Sequence, residues 1–218
     1  MDLNISVDSF FSELLVETDK QYTKSPIYQK QLSHSKRWYY AICATPISKG
    51  KGILFGINWG GSDNFHPQTV MPSGQEVTEY HFIKQSRQFL EKQWGLDFKS
   101  INFNYTNFCF FRTPKAEYLS LDDYLLSLPL FEKYVHYINP PWLLSIGGIN
   151  IKMLNTFGLL KNIQLHFDNE NKFRGYSAQL WAYDIFSVPH PNAHLTTEAR
   201  HTIWIKITNE MKKATNRS

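Results

Sequence analysis

The stretch that most constrains the fold is a short apolar run that ends in glycines, Ile53-Leu54-Phe55-Gly56-Ile57-Asn58-Trp59-Gly60-Gly61. A strand that is apolar on both faces must be covered on both faces, as in a parallel sheet flanked by helices. In such sheets, ligands bind beyond the carboxyl ends of the strands. The run therefore predicts a strand over about 52–58 that points Asn58 into a ligand crevice, with glycines that let a backbone or a ligand come close.

Strand and helix patterns alternate along the rest of the chain. Further strands are predicted over 101–111, 142–146, 162–168, 173–181 and 182–188, with a polar turn at 168–171 that indicates a hairpin. Helices are predicted over 8–18, 76–94, 121–127, 149–157 and from about 196 onward. The alternation predicts one domain over 1–218, an α/β protein built as a three-layer α/β/α sandwich with a mainly parallel central sheet.

Two stretches are predicted to interrupt the helices. Residues 19–36 are polar and contain Ser25-Pro26, which is typical of a break. Pro129 is predicted to divide the helical pattern that begins near residue 121 from a second helical piece before Pro140-Pro141. Both interpretations depend on the usual incompatibility of proline with a helix interior.

The composition restricts the class of protein. A length of 218 residues suits one domain, and a hydrophobic share of 42% is enough for a sizeable core. The net charge of +4 permits a nucleic-acid partner without arguing for one. Cys43 and Cys109 are too few for a four-cysteine iron–sulfur or zinc site, so we expect buried thiols in a reducing compartment.

Membrane, metal and cofactor binding are not predicted. The first residues lack the basic and apolar regions of a signal peptide, and no apolar run approaches the roughly 20 residues of a membrane span. His66, His81 and His166 show no metal-ligand spacing. We therefore expect a soluble cytoplasmic protein without a membrane partner, a metal or a cofactor.

Polar side chains stand at the ends of three predicted strands. Asn58 ends the first, Asn107 follows Thr106 in the second, and His190 lies between two prolines after the last. Because the carboxyl ends of parallel strands meet at one edge, we expect the three to share a pocket. Each residue also has a purely structural alternative. Asn58 would cap the following loop, Asn107 would be a turn residue, and His190 would be a loop histidine with its hydrogen bonds made within the protein.

At these points the chain resembles the uracil-DNA glycosylase superfamily. Gly56-Ile57-Asn58-Trp59-Gly60 is similar to the Gly-Ile-Asn-Pro-Gly motif of the mismatch-specific and single-strand-selective branches. Thr106-Asn107-Phe108, with Arg112 and Pro114, resembles a Thr-Asn segment with a following Arg and Pro in related branches. Leu144-Ser145-Ile146-Gly147 resembles the third strand and its glycine, and His190-Pro191-Asn192 resembles the His-Pro-Ser motif before the final helix. The matches extend over about residues 50–212, which leaves residues 1–45 as an N-terminal helical extension.

The resemblance implies a role for each polar residue in hydrolysing the bond between a flipped base and its sugar. Asn58 would position the attacking water, Asn107 would read the Watson–Crick edge of the base, and His190 would bond the base oxygen that gains negative charge. The implied protein is a monofunctional DNA repair hydrolase that removes uracil or a related damaged base. Its partner is DNA, and it needs no metal or cofactor.

The resemblance also implies contacts with the rest of the DNA. A flipped base normally stacks on an aromatic side chain, for which Phe65 and Trp59 are the candidates. Asn192 would contact a DNA phosphate, and Arg112 would either hold a phosphate or pair within the fold.

Two departures from the family pattern leave other functions open. Trp59 stands where the motif has proline, and Asn192 stands where it has serine. These changes motivate an alternative, a non-catalytic nucleic-acid- or nucleotide-binding module on the same fold. A third function, an enzyme acting on a small nucleoside or nucleotide, would be favoured by a groove without a basic rim. A pocket that unites the three polar residues would favour chemistry, whereas a pocket filled by Trp59 would favour the binding module.

Overall fold

A six-stranded sheet forms the centre of the protein. The computed structural model describes residues 5–60, 65–74, 77, 81–191 and 193–215. The strands are β1 (Ile53–Trp59), β2 (Asn104–Arg112), β3 (Leu143–Ile146), β4 (Leu160–Phe167), β5 (Arg174–Leu180) and β6 (Tyr183–Val188). Their order in the sheet is β2-β1-β3-β6-β5-β4, and the first four of these run parallel. The β4–β5 hairpin continues the sheet in antiparallel orientation. The predicted α/β class with a mostly parallel sheet is therefore confirmed, and so is the hairpin.

Helices pack around this sheet in two hydrophobic cores. The described helices are α1 (Val7–Tyr22), α2 (Pro26–Ser33), α3 (His81–Trp94), α4 (Leu121–Ile138), α5 (Gly148–Thr156) and α6 (Thr197–Thr215). One core contains side chains of α1, α2, α4 and α5, and the other contains side chains of α3 and α6. Ile53 and Phe55 belong to the first core, and Leu54 between them belongs to the second. Successive strand residues point to opposite faces, so an apolar strand such as β1 needs cover on both.

The N-terminal residues form more helix than the sequence predicted. The first helix continues to Tyr22, and Ser25-Pro26 begins α2 instead of breaking the chain. The Ser25 hydroxyl accepts a hydrogen bond from the amide of Tyr28, and proline occupies the first helical position, where its missing N–H is no loss. Phe10 of α1 and Ile27 of α2 are fully buried in the core shared with the sheet. The predicted N-terminal extension thus packs as part of the domain core.

The prediction that Pro129 divides a helix is wrong. Ser120 and Asp123 form a capping box, and α4 then runs through Pro129 without interruption. A proline inside a helix costs about 3 kcal/mol, because it removes one hydrogen bond and its ring meets the preceding turn. Burial of the apolar face that follows offsets this cost. The buried residues after Pro129 are Leu130, Phe131, Tyr134, Val135, Tyr137 and Ile138.

Both cysteines are free and buried, as predicted. Burial raises the pKa of the Cys43 thiol and of the Cys109 thiol well above the usual value. In the part of the chain that the structure describes, no helix combines the length and the apolar character needed to cross a membrane.

Candidate functional site

A cavity of about 1050 Å³ lies at the carboxyl ends of the parallel strands. In the sheet, β1 lies between β2 and β3, so the order along the chain reverses between β1 and β3. Ligands of doubly wound sheets bind at such a switch point, because the two crossover connections leave in opposite directions there. The described ladder between β1 and β3 ends with the pair Phe55 and Ser145, and the cavity wall is formed by the residues that follow.

The cavity brings together the three polar residues that the sequence singled out. Asn58 lies near the end of β1, Asn107 on β2 and His190 two residues after β6, and all three line the cavity. The prediction that Asn107 stands at a strand end is wrong, because it lies inside β2 and pairs with Gly56 of β1. The apolar residues 108–111 continue the strand beyond it in a buried environment.

The amide of Asn58 has a defined orientation. Its nitrogen Nδ2 donates to the hydroxyl oxygen of Thr113 at 2.9 Å, and that hydroxyl donates to the carbonyl of Lys115 at 2.6 Å. A hydroxyl has one hydrogen to donate, so Thr113 must accept from Asn58. This arrangement leaves the carbonyl oxygen Oδ1 of Asn58 as the group that accepts a hydrogen bond from a ligand or a water. Sequence reasoning missed Thr113, whose only signal was its place before Pro114 in the second motif.

Asn107 presents an unpaired amide nitrogen. The residue is 2% exposed, and its Nδ2 atom has no hydrogen-bond partner among the described residues. Gly56 provides the space for the amide, because a Cβ atom at that position would lie 2.4 Å from Oδ1 of Asn107. A buried donor without a partner costs about 1–3 kcal/mol. Such a cost is expected where a ligand supplies the missing partner.

His190 lies beside the turn that begins α5. The amide of Gly147 donates to the carbonyl of Val188 at 2.8 Å, which joins the ends of β3 and β6. Gly147 has φ +98°, and a Cβ atom there would lie 3.5 Å from the Cβ of His190. Glycine adopts this conformation without strain, so the chain can enter α5 next to the histidine. Gly148 and Ile149 also line the cavity, so the partial positive charge at the start of α5 lies in its wall.

Trp59 forms part of the wall and leaves the cavity open. Its ring is 2% exposed, and it packs edge-on against Tyr105 with 5.5 Å between the ring centroids. Because protein atoms cover nearly all of this ring, it limits the size of the cavity and offers little free surface for stacking. The geometry that would have favoured a pocket filled by Trp59 is therefore not the one observed.

Phe65 and Arg112 contact each other, and neither is among the described residues that line the cavity. The guanidinium carbon of Arg112 lies 3.6 Å from the centroid of the Phe65 ring, a favourable position for a cation on an aromatic face. The amide of Phe65 donates to the carbonyl of Arg37, and the amide of Arg112 donates to the carbonyl of Tyr39. The structure thus groups both residues with the segment around 37–39. Asn192 lies outside the described residues.

The cavity has a basic rim that sequence reasoning missed. Lys152 of α5 and Lys172 and Arg174 of the β4–β5 hairpin line it and are exposed, and no acidic side chain is among the described lining residues. Lys172 pairs with Glu170 at 2.6 Å, but the two side chains are 68% and 67% exposed, so solvent weakens the pair. The Lys-Phe-Arg triplet at 172–174 was visible in the sequence, but only the sheet order places it at the same cavity as His190.

The described residues offer no metal site, and two comparisons with known proteins found no match. Within the described residues, no group of three or more His, Cys, Asp or Glu side chains is placed to hold a metal ion. No protein-family model matches the chain, and no curated protein matches it.

Proposed function

We propose that the chain is a DNA glycosylase-like hydrolase, built as a three-layer α/β/α sandwich, that hydrolyses the N-glycosidic bond of uracil or a related damaged base flipped from DNA. The observation that carries the proposal is the meeting of Asn58, Asn107 and His190 at one cavity. Side chains on β1, on β2 and just after β6 would provide a water-positioning group, a base reader and an oxyanion donor. The reaction needs no metal or cofactor.

The amide of Asn107 suits the edge of a pyrimidine. Uracil presents a carbonyl acceptor next to an N–H donor, and an amide side chain supplies the matching donor and acceptor. Its Nδ2 atom is buried and has no described partner, so a base carbonyl would satisfy a donor that otherwise costs free energy. Hydrogen bonds between the Asn107 amide and the edge of a flipped base would therefore favour binding of that base in the cavity.

His190 and Asn58 suit the two charges that develop when the bond breaks. The departing base gains negative charge on its oxygen, and a donor aimed at such an oxygen is worth about 3–4 kcal/mol. A ring N–H of His190 is the proposed donor, and the nearby start of α5 adds a favourable potential. The sugar becomes cation-like, and Oδ1 of Asn58 would orient the attacking water toward it. A neutral amide is a weak base, so we expect slow chemistry or a base that leaves easily.

The experiment that tests this proposal is excision of uracil from labelled oligonucleotides, single-stranded and paired with G or A. Strand scission after alkali is expected with the parent protein and is expected to fall strongly in Asn58→Ala and in His190→Ala. His194→Ala is the matched control, because His194 is exposed in the same loop and is not among the described lining residues. Absence of scission on every substrate, or equal loss in the control, would overturn the proposal.

Two observations favour a second candidate, the non-catalytic binding module. No carboxylate is among the described lining residues, and the cavity is larger than one pyrimidine needs. A nucleotide or a nucleic-acid strand could then be bound without hydrolysis. Retained binding of an oligonucleotide with no scission of any uracil substrate would select this candidate. The basic rim speaks against the third function, an enzyme acting on a small nucleoside or nucleotide, which a groove without such a rim would have favoured.

A further inference from the structure

We propose that the turn of the β4–β5 hairpin binds the single-stranded DNA next to the flipped base. The hairpin turn is defined here as residues 168–174. This inference rests on the proposed function, because it takes the cavity as the site of the base. It adds a strand-binding element and a preference for unpaired DNA.

Sheet topology brings the hairpin turn to the mouth of the cavity. β5 runs antiparallel to β6, so the beginning of β5 lies beside the end of β6, as the pair Tyr176 and Ser187 shows. His190 follows the end of β6 by two residues. Lys172, Phe173 and Arg174 consequently line the same cavity as His190.

The hairpin turn is held in shape by a buried carboxylate. Asp168 is 4% exposed, and its Oδ1 atom accepts hydrogen bonds from the amides of Lys172 at 2.8 Å and Phe173 at 3.2 Å. The amide of Asp168 also donates to the carbonyl of Phe173 at 3.0 Å. These bonds fix the backbone before any ligand arrives, which lowers the entropy lost on binding.

The side chains of the hairpin turn match an unpaired strand. Phe173 is half-buried: it packs against the core that contains α3 and α6, and it also lines the cavity, between two exposed cations, Lys172 and Arg174. An aromatic ring stacks on a base of any sequence, and adjacent cations neutralise the phosphates. In a duplex, each base face is covered by its neighbour, so this ring has a stacking surface only where the strand is unpaired. Arg174 lies 5.6 Å from the ring centroid of Tyr176, another lining residue, which keeps its charge near the mouth.

Binding of fluorescein-labelled oligothymidine, single-stranded and in a matched duplex, tests the inference by fluorescence anisotropy. The parent is expected to bind the single strand more tightly than the duplex. Phe173→Leu is expected to weaken single-strand binding by about fivefold or more, the loss typical of one stacked base, and Phe173→Tyr is expected to retain it. Arg174→Gln is expected to weaken binding severalfold and to lower the slope of log K against log salt by about 0.7.

Lys161→Gln is the matched control for Arg174→Gln. It removes one exposed positive charge from the far end of the same hairpin, where Lys161 pairs with Gln179, and it is expected to leave the salt slope unchanged. Parent-like single-strand binding by the Phe173 and Arg174 variants, equal losses for duplex and single strand, or no single-strand binding by the parent would each overturn the inference. The oligonucleotides contain no uracil, so failure of base excision would remove the proposed chemistry without changing this readout.

Discussion

Two buried asparagines of β2 are expected to respond in opposite ways to the same substitution. Asn107 has an amide nitrogen without a described partner. Asn104, three residues earlier, is fully buried and fully engaged. Its Nδ2 donates to the carbonyls of Ser48 at 2.9 Å and Lys51 at 3.2 Å, and its Oδ1 accepts from the amide of Ser48 at 2.8 Å. One amide thus awaits a ligand, and the other anchors a loop.

Leucine has a branched side chain close in shape to that of asparagine but has no polar atoms. In Asn107→Leu it removes a buried unpaired donor, whose penalty is about 1–3 kcal/mol. Allowing for imperfect packing near Gly56, we expect the free energy of unfolding to rise by about 1 kcal/mol, or about 2–4 °C in Tm for a chain of this size. In Asn104→Leu these three hydrogen bonds are lost, together with a longer one from Nδ2 to the carbonyl of Gly52 at 3.4 Å. At about 1 kcal/mol for each of the three shorter bonds, we expect a fall of about 3 kcal/mol.

Urea and thermal unfolding of the parent and both variants provide the measurement, with uracil excision assayed on the same preparations. The expected pattern is a more stable but inactive Asn107→Leu and a destabilised Asn104→Leu. A gain in stability with a loss of function is typical of a residue kept for ligand binding. If Asn107→Leu instead lost more than about 1 kcal/mol, the amide would have a structural partner and the reasoning would be refuted.

Three further outcomes are expected. Thr113→Val removes the hydroxyl that orients Asn58, so we expect kcat for base excision to fall by about tenfold while binding of an uncleavable oligonucleotide is unchanged; a loss in binding alone would contradict this role. Burial lowers the pKa of His166, so the unfolded chain binds its proton more readily, and the free energy of unfolding should decrease as the pH falls below about 6.5. His166→Gln is expected to reduce that decrease in urea titrations over this pH range, and a variant with an equal or steeper acid dependence would refute the assignment. Burial raises the pKa of both thiols, so Cys43 and Cys109 should react with a thiol-specific reagent only after unfolding, and rapid reaction of the folded protein would contradict their burial.

Local sequence patterns were sufficient to predict the strands that are buried on both faces, because such strands are continuous apolar runs. The apolar run before Asn58 became β1 within a residue of its predicted bounds, and the predicted strand at 142–146 became β3. Local sequence patterns failed where the same residues can either interrupt a helix or belong to one. Ser25-Pro26 starts a helix as readily as it breaks one, and Pro129 is tolerated because the helix face after it is buried.

The sequence likewise predicted some residues of the candidate site and not the position of others. The polar residues Asn58 and His190 were recognisable because each follows a buried strand, and the carboxyl ends of parallel strands meet at one edge of the sheet. Asn107 was identified as a candidate but described as a strand end, although the strand predicted over 101–111 extends past it, as β2 does. Phe65 was a candidate for stacking on the base, and Arg112 for holding a phosphate or pairing within the fold. The two side chains contact each other, which their separation along the chain does not indicate.

The sequence by itself determined the alternation of strands and helices, the apolar central strands and the residue types available for chemistry, since these follow from local periodicity and composition. Only the tertiary structure decided which side chains share the cavity, because this depends on the strand order. It paired Asn107 with Gly56, aligned Asn58 through Thr113 and brought the hairpin turn to the same cavity as His190. Hydrogen bonds and sheet pairings between residues far apart in the chain made these placements, and no local pattern records them.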